Sequence, residues 1–145
     1  MEFTTHSAAE TERLAAAFAK QLPPGSILAF VGGLGAGKTA FTRGLAQGLG
    51  VTGEVSSPTF ALVHEYQGNP ALIHFDMYRV TTLDDLYTTG FFDYLDGNNI
   101  LAIEWSENIE AALPEEAIFI QIEPMGETIR RITIKGGPAF EYSGD

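Results

Sequence analysis

The first third of the chain carries the apolar spacing of an amphipathic helix. Leu14, Phe18 and Leu22 recur every four residues, which places them on one helical face. Before them, Ser7 and Glu10 form the Ser-x-x-Glu pattern of a capping box, in which the hydroxyl accepts a hydrogen bond from the first helical turn. We therefore expect a helix that begins at Ser7 and ends at the Pro-Pro-Gly sequence after Leu22.

A second helix is expected after a short β-rich run. The run Ile27 to Val31 is apolar and breaks into glycines, as a buried strand does before a turn. Phe41, Leu45 and Leu49 then recur on one helical face, and Gly50 follows where a helix commonly ends. The order of strand, glycine-rich turn and helix indicates an α/β unit.

Strand-like and short helical segments alternate along the rest of the chain. We expect strands at 59–66, 71–78 and 100–105, short helices at 84–89 and 106–113, and a closing hairpin whose strands carry the alternating isoleucines of 118–122 and 132–134. This pattern predicts a single α/β domain with a mostly parallel central sheet, antiparallel strands toward the C-terminus and helices on both faces. Residues 1–137 are expected to form this domain, and residues 138–145 a flexible tail.

The charge of the chain is strongly negative. Its 145 residues include 19 acids against 8 Lys and Arg, a formal net charge of −11. Nucleic-acid binding draws its affinity from basic residues that meet phosphates, so we expect none by this chain alone. From Val80 to Ile129 eleven acids occur without any Lys or Arg, either as a solvated face that aids solubility or as a docking surface for a basic partner.

Composition also bears on the compartment. Cysteine is absent, which excludes disulfides and thiolate metal sites. No apolar run approaches the length that spans a bilayer, and the acidic N-terminus lacks a basic segment ahead of an apolar one. We therefore expect no membrane association and a cytoplasmic location.

A phosphate-binding pattern stands at the first strand-to-helix turn. Residues 32–39, Gly-Gly-Leu-Gly-Ala-Gly-Lys-Thr, match G-x-x-x-x-G-K-[ST] in full. In this setting backbone N–H groups and the helix dipole converge on phosphate oxygens, Lys38 supplies a charge to the outer phosphates, and the Thr39 hydroxyl is suited to ligate Mg²⁺. The pattern predicts a P-loop NTPase-like domain that binds ATP with Mg²⁺, with nucleotide contacts from Gly33, Leu34, Gly35, Ala36, Gly37, Lys38, Thr39 and Ala40.

Two acidic residues end strand-like runs and are candidates for the metal. A P-loop needs a carboxylate at the end of a neighbouring strand to hold Mg²⁺, directly or through water. Glu104 follows the apolar run 100–103, and Asp76 follows the run that begins at 71. Strand alternation also places His74, Asp76 and Tyr78 on one side of their strand. Each acid is either a metal-binding group or an ordinary strand-end carboxylate, and the P-loop favours the metal role.

Two further residues carry open alternatives. Thr59, in the sequence Ser-Pro-Thr-Phe, is either a switch threonine that reaches the γ-phosphate and Mg²⁺ or an ordinary loop hydroxyl. Trp105, the only tryptophan, is either a ring that senses nucleotide beside Glu104 or a part of the core.

Taken together, these motifs resemble one family. The sequences Gly-Gly-Leu-Gly-Ala-Gly-Lys-Thr at 32–39, Ser-Pro-Thr-Phe at 57–60, His-Phe-Asp-Met-Tyr-Arg at 74–79 and Ile-Glu-Trp at 103–105 occur in the order and spacing of the TsaE (YjeE) family of small bacterial P-loop ATPases. The resemblance covers essentially the whole chain. One position departs from it, because Gly33 stands where the family often has Asp.

The resemblance implies a role in making threonylcarbamoyladenosine, the modified nucleoside beside the tRNA anticodon. In that family TsaE hydrolyses ATP in support of TsaB and TsaD, which transfer a threonylcarbamoyl group made by TsaC. The resemblance also assigns Thr59 to a switch-like loop and Trp105 to the side of the nucleotide. It assigns catalysis to Lys38, Asp76 and Glu104, and metal binding to Thr39, Asp76 and Glu104.

Three other classes compete with an ATPase. A small-molecule kinase usually clamps its phosphoryl group with several arginines, and the segment 80–129 has none. A GTPase is expected to carry an Asn-Lys-x-Asp sequence, which this chain lacks. A non-catalytic switch that binds ATP without useful turnover stays open. Whichever class applies, the acidic charge predicts that this chain does not bind tRNA by itself.

Overall fold

A mixed β-sheet forms the centre of the protein. The computed structural model describes residues 1–31, 37–51, 63–68 and 70–142. Its strands are β1 (Glu2–Thr5), β2 (Ile27–Phe30), β3 (Val63–Tyr66), β4 (Leu72–Asp76), β5 (Ile100–Glu104), β6 (Ile118–Pro124) and β7 (Arg130–Lys135). Across these described residues the strands lie in the order β1-β7-β6-β2-β5-β4-β3.

The strands at the centre of the sheet are parallel. β2 pairs with β6 on one side and with β5 on the other, and β4 extends the parallel set beyond β5. β7 and β1 add antiparallel strands at one edge, and β3 adds one at the other. The predicted α/β class, with a mostly parallel centre and a closing hairpin of β6 and β7, is therefore confirmed.

Helices lie on both faces of the sheet. They are α1 (Ala8–Ala19), α2 (Lys38–Gly48), α3 (Leu83–Thr88) and two 3₁₀ helices, η1 (Phe91–Tyr94) and η2 (Ser106–Ala112). α1 begins as predicted, since the Glu10 N–H donates to the Ser7 hydroxyl at 3.0 Å. α1 and α2 pack on one face, and α3 and the two 3₁₀ helices pack on the other.

Each face has its own buried cluster. Strand alternation sends Leu28 and Phe30 of β2 to the face of α1 and α2, where they join Phe41 in the first core cluster. Ile27 points the other way and joins Phe91 of η1 in the second core cluster. The parallel strands are thus buried on both faces, as this class of sheet requires.

Several elements differ from the sequence-based prediction. β1 and η1 were not predicted. β1 forms by pairing with the edge of β7, a contact that no local sequence pattern indicates. The strand predicted at 71–78 ends at Asp76, because its carboxylate accepts the Tyr78 N–H at 3.0 Å where the chain turns. The strand predicted from 59 is described from Val63, and residues 59–62 lie outside the described part.

The segment after β7 also contributes to the core. Phe140 is 8% exposed, and its ring centroid lies 5.6 Å from that of Phe3 and 5.2 Å from that of Phe18. The sequence assigned residues 138–145 to a flexible tail, but a buried aromatic ring removes a large apolar area from water and ties this part of the segment to the domain. Residues 143–145 lie outside the described residues.

α1 and α2 approach each other closely at two glycines of α2. A Cβ built on Gly44 would overlap the Glu12 carbonyl oxygen and lie 2.7 Å from the Ala15 Cβ. One turn later, a Cβ on Gly48 would overlap the Ala16 carbonyl oxygen. The absence of a side chain at these positions lets the backbones approach, which fixes how α2 lies against α1.

We predict that Gly44→Ala destabilises the protein by about 2 kcal/mol, since forcing an extra methyl into a packed contact typically costs 1–3 kcal/mol. This cost exceeds the gain of about 1 kcal/mol that alanine brings to a helix interior. The measurement is chemical denaturation followed by circular dichroism. Gln47→Ala, at an exposed position of α2, is the control and should stay within about 0.5 kcal/mol of the parent. A Gly44→Ala variant as stable as the parent would contradict the packing argument.

Candidate functional site

The carboxyl end of β2 leads directly into the predicted phosphate-binding turn. β2 ends at Phe30, and Gly37 caps the start of α2 with φ +94°, a left-handed conformation that favours glycine. The first turn of α2 then holds Lys38, Thr39 and the buried Ala40. A helix start leaves backbone N–H groups without intrahelical partners and carries a positive dipole, so this end of α2 is suited to bind phosphate.

Part of the predicted nucleotide-binding set lies outside the described residues. This part comprises the side chain of Lys38 and the residues Gly33, Leu34, Gly35, Ala36 and Thr59. Their roles stay predictions from the sequence. On either side of the turn, Phe30 and Gly37 mark the strand end and helix start that the motif requires.

The two predicted acids lie opposite each other on neighbouring strands. In the parallel register of β4 and β5, Asp76 is the partner of Glu104, and both residues end their strands. Alternation puts His74 and Asp76 on the same face as Leu72, and Glu104 on the same face as Ala102. Leu72 and Ala102 belong to the first core cluster. All three polar side chains therefore lie on the face that α2 covers.

His74 and Glu104 form a buried pair. The His74 Nε2 lies 2.8 Å from the Glu104 Oε2, and the two side chains are only 3% and 2% exposed. The ring N–H donates to the carboxylate, which fixes the orientation of both groups. The sequence pattern placed His74 on the site side of its strand but gave it no role, because its partner comes from a strand 30 residues away.

One atom of each side chain in this pair has no hydrogen-bond partner among the described residues. These atoms are the His74 Nδ1 and the Glu104 Oε1. Leaving a buried polar atom unpaired typically costs about 1–3 kcal/mol, and more for a charged group. An unpaired carboxylate oxygen at the carboxyl edge, on the face of α2, is what a cation or an ordered water would satisfy. The residues therefore fit a bound Mg²⁺.

Asp76 and Trp105 sit where the two strands end. Asp76 is half-buried, and the Tyr78 ring after it lies 5.0 Å from the Trp105 ring. The sequence pattern placed Tyr78 within the strand, but Tyr78 is 60% exposed and follows the end of β4. Trp105 has φ +58°, the one positive value for a non-glycine residue in the described ranges. Such strained backbone clusters at functional sites.

Side chains of η2 bind the backbone at the ends of two strands, β2 and β4. The Ser106 hydroxyl donates to the Phe30 carbonyl at 2.8 Å, which links the residue after Trp105 to the last residue of β2. The Asn108 amide donates to the Met77 carbonyl at 2.8 Å, just beyond the end of β4. Sequence reasoning assigned this segment only as a short helix. Neither bond has a local signal, because both acceptors are backbone atoms far along the chain.

The described residues contain no group of three His, Cys, Asp or Glu side chains able to hold a metal ion by themselves. A P-loop site does not require one, since Mg²⁺ bound to a nucleotide keeps several waters and takes only one or two protein carboxylates. Within the same described part, no helix is long and apolar enough to cross a membrane.

Only part of the acidic segment lies near this edge of the sheet, because Asp96, Glu115 and Glu116 precede β5 and β6 and lie at the opposite edge. Eight of its eleven acids are exposed, and one of them, Asp84, is on α3, where Leu83 and Tyr87 are 60% and 61% exposed. A groove of about 440 Å³ runs between α3 and η2, with Leu83 and Asn108 among the residues that line it. Since Asn108 also binds the backbone after β4, the groove lies next to the candidate site.

Comparison with known protein families finds one match over most of the chain. The model described as "Threonylcarbamoyl adenosine biosynthesis protein TsaE" matches residues 5–132. The "tRNA threonylcarbamoyladenosine biosynthesis protein TsaE" of Treponema pallidum is 37% identical over 134 residues, which cover 92% of this chain and 99% of that protein. The protein of the same name from Bacillus subtilis is 44% identical over 122 residues, covering 83% and 74%.

A solved structure is also similar. The crystal structure of YdiB from Bacillus subtilis aligns with a TM-score of 0.76 and 37% identity, covering 92% of this chain and 83% of that one. The fold is therefore that of a known protein of similar sequence.

We predict that Trp105 fluorescence changes when ADP or ATP is added with Mg²⁺, because the half-buried ring adjoins Glu104 and contacts an exposed tyrosine. The signal has one source, since Trp105 is the only tryptophan. Trp105→Phe should abolish it, and Mg²⁺ without nucleotide is the control. An unchanged emission spectrum, with nucleotide binding shown by calorimetry, would indicate that Trp105 is only a part of the core.

Proposed function

The chain belongs to the TsaE family, and from this and the site geometry we propose that it binds ATP with Mg²⁺ and hydrolyses it in support of threonylcarbamoyladenosine formation in tRNA. The observation that carries the proposal is Glu104, a buried carboxylate held by His74, whose second oxygen has no hydrogen-bond partner among the described residues. It stands at the carboxyl edge of the strand next to β2, on the face of the helix that follows the phosphate-binding sequence.

Each polar group at this edge has a task in the proposal. The N-terminal N–H groups of α2 and the Lys38 charge bind the phosphates, and Thr39 with Glu104 holds Mg²⁺. When bound, Mg²⁺ neutralises charge on the β- and γ-phosphates. His74 keeps the Glu104 carboxylate in one orientation. Asp76, half-buried and opposite Glu104, binds the metal through water or orients the attacking water.

We predict that Thr39→Ala and Glu104→Gln each lower kcat at least tenfold, about 1.4 kcal/mol of barrier, because each removes an oxygen ligand proposed for the metal. Asp76→Asn should lower kcat by a comparable factor. The measurement is phosphate release from ATP as a function of Mg²⁺ concentration. Glu110→Gln, an exposed glutamate of η2, is the matched control and should keep the parental rate.

The same assay separates the competing activities. GTP and a panel of phosphoacceptors are added in parallel, since phosphate transfer to an acceptor would indicate a kinase. Parental turnover in both Thr39→Ala and Glu104→Gln would overturn the site. Tight ATP binding without release of phosphate, even with partner proteins, would leave the non-catalytic switch as the function.

The proposal extends to the partners TsaB and TsaD. Hydrolysis of ATP by this chain alone forms no product with an evident use, so the free energy must be coupled to another protein. The exposed acids Asp84 and Glu110 are on α3 and η2, the two helices that flank the groove next to the site. Together with the exposed Leu83 and Tyr87, they support a docking surface for a basic and partly apolar partner. We propose that docking there raises turnover and orders the segment 57–60, which lies outside the described residues.

We predict that ATP strengthens binding to a purified TsaB–TsaD complex relative to ADP or no nucleotide, because coupling between two ligands is reciprocal. The complex should in turn raise phosphate release. Affinity is measured by titration in all three nucleotide states. Equal affinities together with unchanged turnover would defeat the coupling. Tight binding of tRNA by this chain alone, at physiological salt, would separately defeat the charge argument.

A further inference from the structure

Arg130, the first residue of β7, lies against the start of α2. A Cβ built on Gly37 would lie 3.6 Å from the Arg130 Cγ and 3.7 Å from its Nε. Alternation along β7 puts Arg130 on the same face as Ile132 and Ile134, which belong to the first core cluster with α1 and α2. The side chain therefore extends over the face of the sheet to the helix start that follows the phosphate-binding sequence.

The Arg130 guanidinium is held at one end, and its other end has no partner among the described residues. Its Nη1 donates to the carbonyls of Gly126, Glu127 and Ile129 at 3.1, 3.4 and 3.0 Å, in the turn between β6 and β7. The Nε and Nη2 form no hydrogen bond with any residue in the described ranges. The bonds from Nη1 thus hold one end of the planar group, and its remaining donors have no partner in the described part of the chain.

The helix start beside Arg130 does not stabilise its charge. Gly37 is the N-cap of α2, where the helix dipole is positive, so a guanidinium beside it is unfavourable on its own. Arg130 has no carboxylate within ion-pair distance in the described part of the chain. Arg131 provides the contrast, because it lies on the opposite face and is paired with Glu123 at 3.1 Å. Its hydrogen bonds to that carboxylate raise the pKa of the Arg131 side chain.

The strand order indicates which part of a nucleotide Arg130 would meet. The acids Asp76 and Glu104 lie on β4 and β5, to one side of β2, whereas β6 and β7 lie to the other side. Mg²⁺ held by these acids would neutralise the charge of the outer phosphates, so we expect those phosphates on the side of the acids. The rest of the nucleotide then extends past Gly37 toward β6 and β7.

We infer that Arg130 binds the nucleoside half of the nucleotide, through its free N–H groups or by stacking its flat face on the base. The inference rests on the proposed function, because it requires a nucleotide at the phosphate-binding turn. It adds to that function a residue that makes the protein bind a nucleotide more tightly than an inorganic phosphate such as pyrophosphate.

The experiment compares binding of ADP and of pyrophosphate, each with Mg²⁺, by calorimetry. Arg130→Ala should weaken ADP binding about tenfold, the loss expected for one contact with a charged group, and leave pyrophosphate binding unchanged. Arg130→Gln should behave alike, since it retains an N–H donor for the turn carbonyls but loses the charge and most of the donors. Arg131→Ala is the matched control, because it removes an ion pair from the same hairpin but faces away, and it should bind both ligands as the parent does.

Three outcomes would overturn the inference. The first is parental ADP affinity in both Arg130 variants, and the second is an equal loss of affinity for ADP and for pyrophosphate in Arg130→Ala. The third is a loss of ADP affinity in Arg131→Ala as large as in Arg130→Ala, which would indicate that the order of the hairpin matters and not a contact from Arg130. Thermal unfolding without ligand identifies a variant that fails to fold, in which case the Arg130→Gln result decides. Failure of the parent protein to bind either ligand would defeat the proposed function, and the inference with it.

Discussion

Parallel pairing of β6, β2, β5 and β4 is the constraint on which the candidate site depends. Because parallel strands all end at the same edge, this pairing brings Asp76 and Glu104 to the edge where β2 ends and the predicted phosphate-binding sequence begins. The ladder continues past the strand ends, where the Met77 N–H donates to the Glu104 carbonyl at 3.0 Å. A slip of one residue in β5 would turn Glu104 away from α2 and into the second core cluster.

The His74–Glu104 pair occupies positions where apolar side chains would pack well. Its strand neighbours on that face are Leu72 and Ala102, and both polar side chains are nearly inaccessible to water. Burying ionisable groups costs desolvation energy that mutual attraction only partly offsets, so such a pair adds little to stability. Its value lies in orientation, since a carboxylate held through one oxygen by an imidazole presents its other oxygen in a fixed direction.

The segment η2 connects the site to the acidic surface. Ser106 holds the end of β2, and Asn108 holds the backbone just after β4. Asn108 also lines the groove between α3 and η2. A protein bound in that groove would contact residues that position the strand ends. Trp105, whose backbone has a positive φ, directly precedes Ser106. This gives the proposed coupling a physical path of two hydrogen bonds and one ring contact.

Much of the fold and part of the site follow from local sequence. Apolar spacing and the Ser7 cap predict α1, the glycine-rich motif predicts the turn before α2, and the alternation of strands with helices predicts the α/β class with a parallel centre. The motif also indicates phosphate chemistry, because glycines, Lys38 and Thr39 carry it within eight consecutive residues. Those features act over a few neighbouring residues, so the order of residues alone determines them.

Contacts between distant residues were decided only by the tertiary structure. β1 exists because β7 offers it an edge, and Phe140 is buried because Phe3 and Phe18 leave room for its ring. Spacing along the chain could name Asp76 and Glu104, but only strand register sets them opposite each other and gives Glu104 its partner His74. Arg130 and Arg131 are equivalent as neighbours in the sequence. The pleat of β7 separates them, since it turns one toward α2 and the other toward Glu123 on the opposite face.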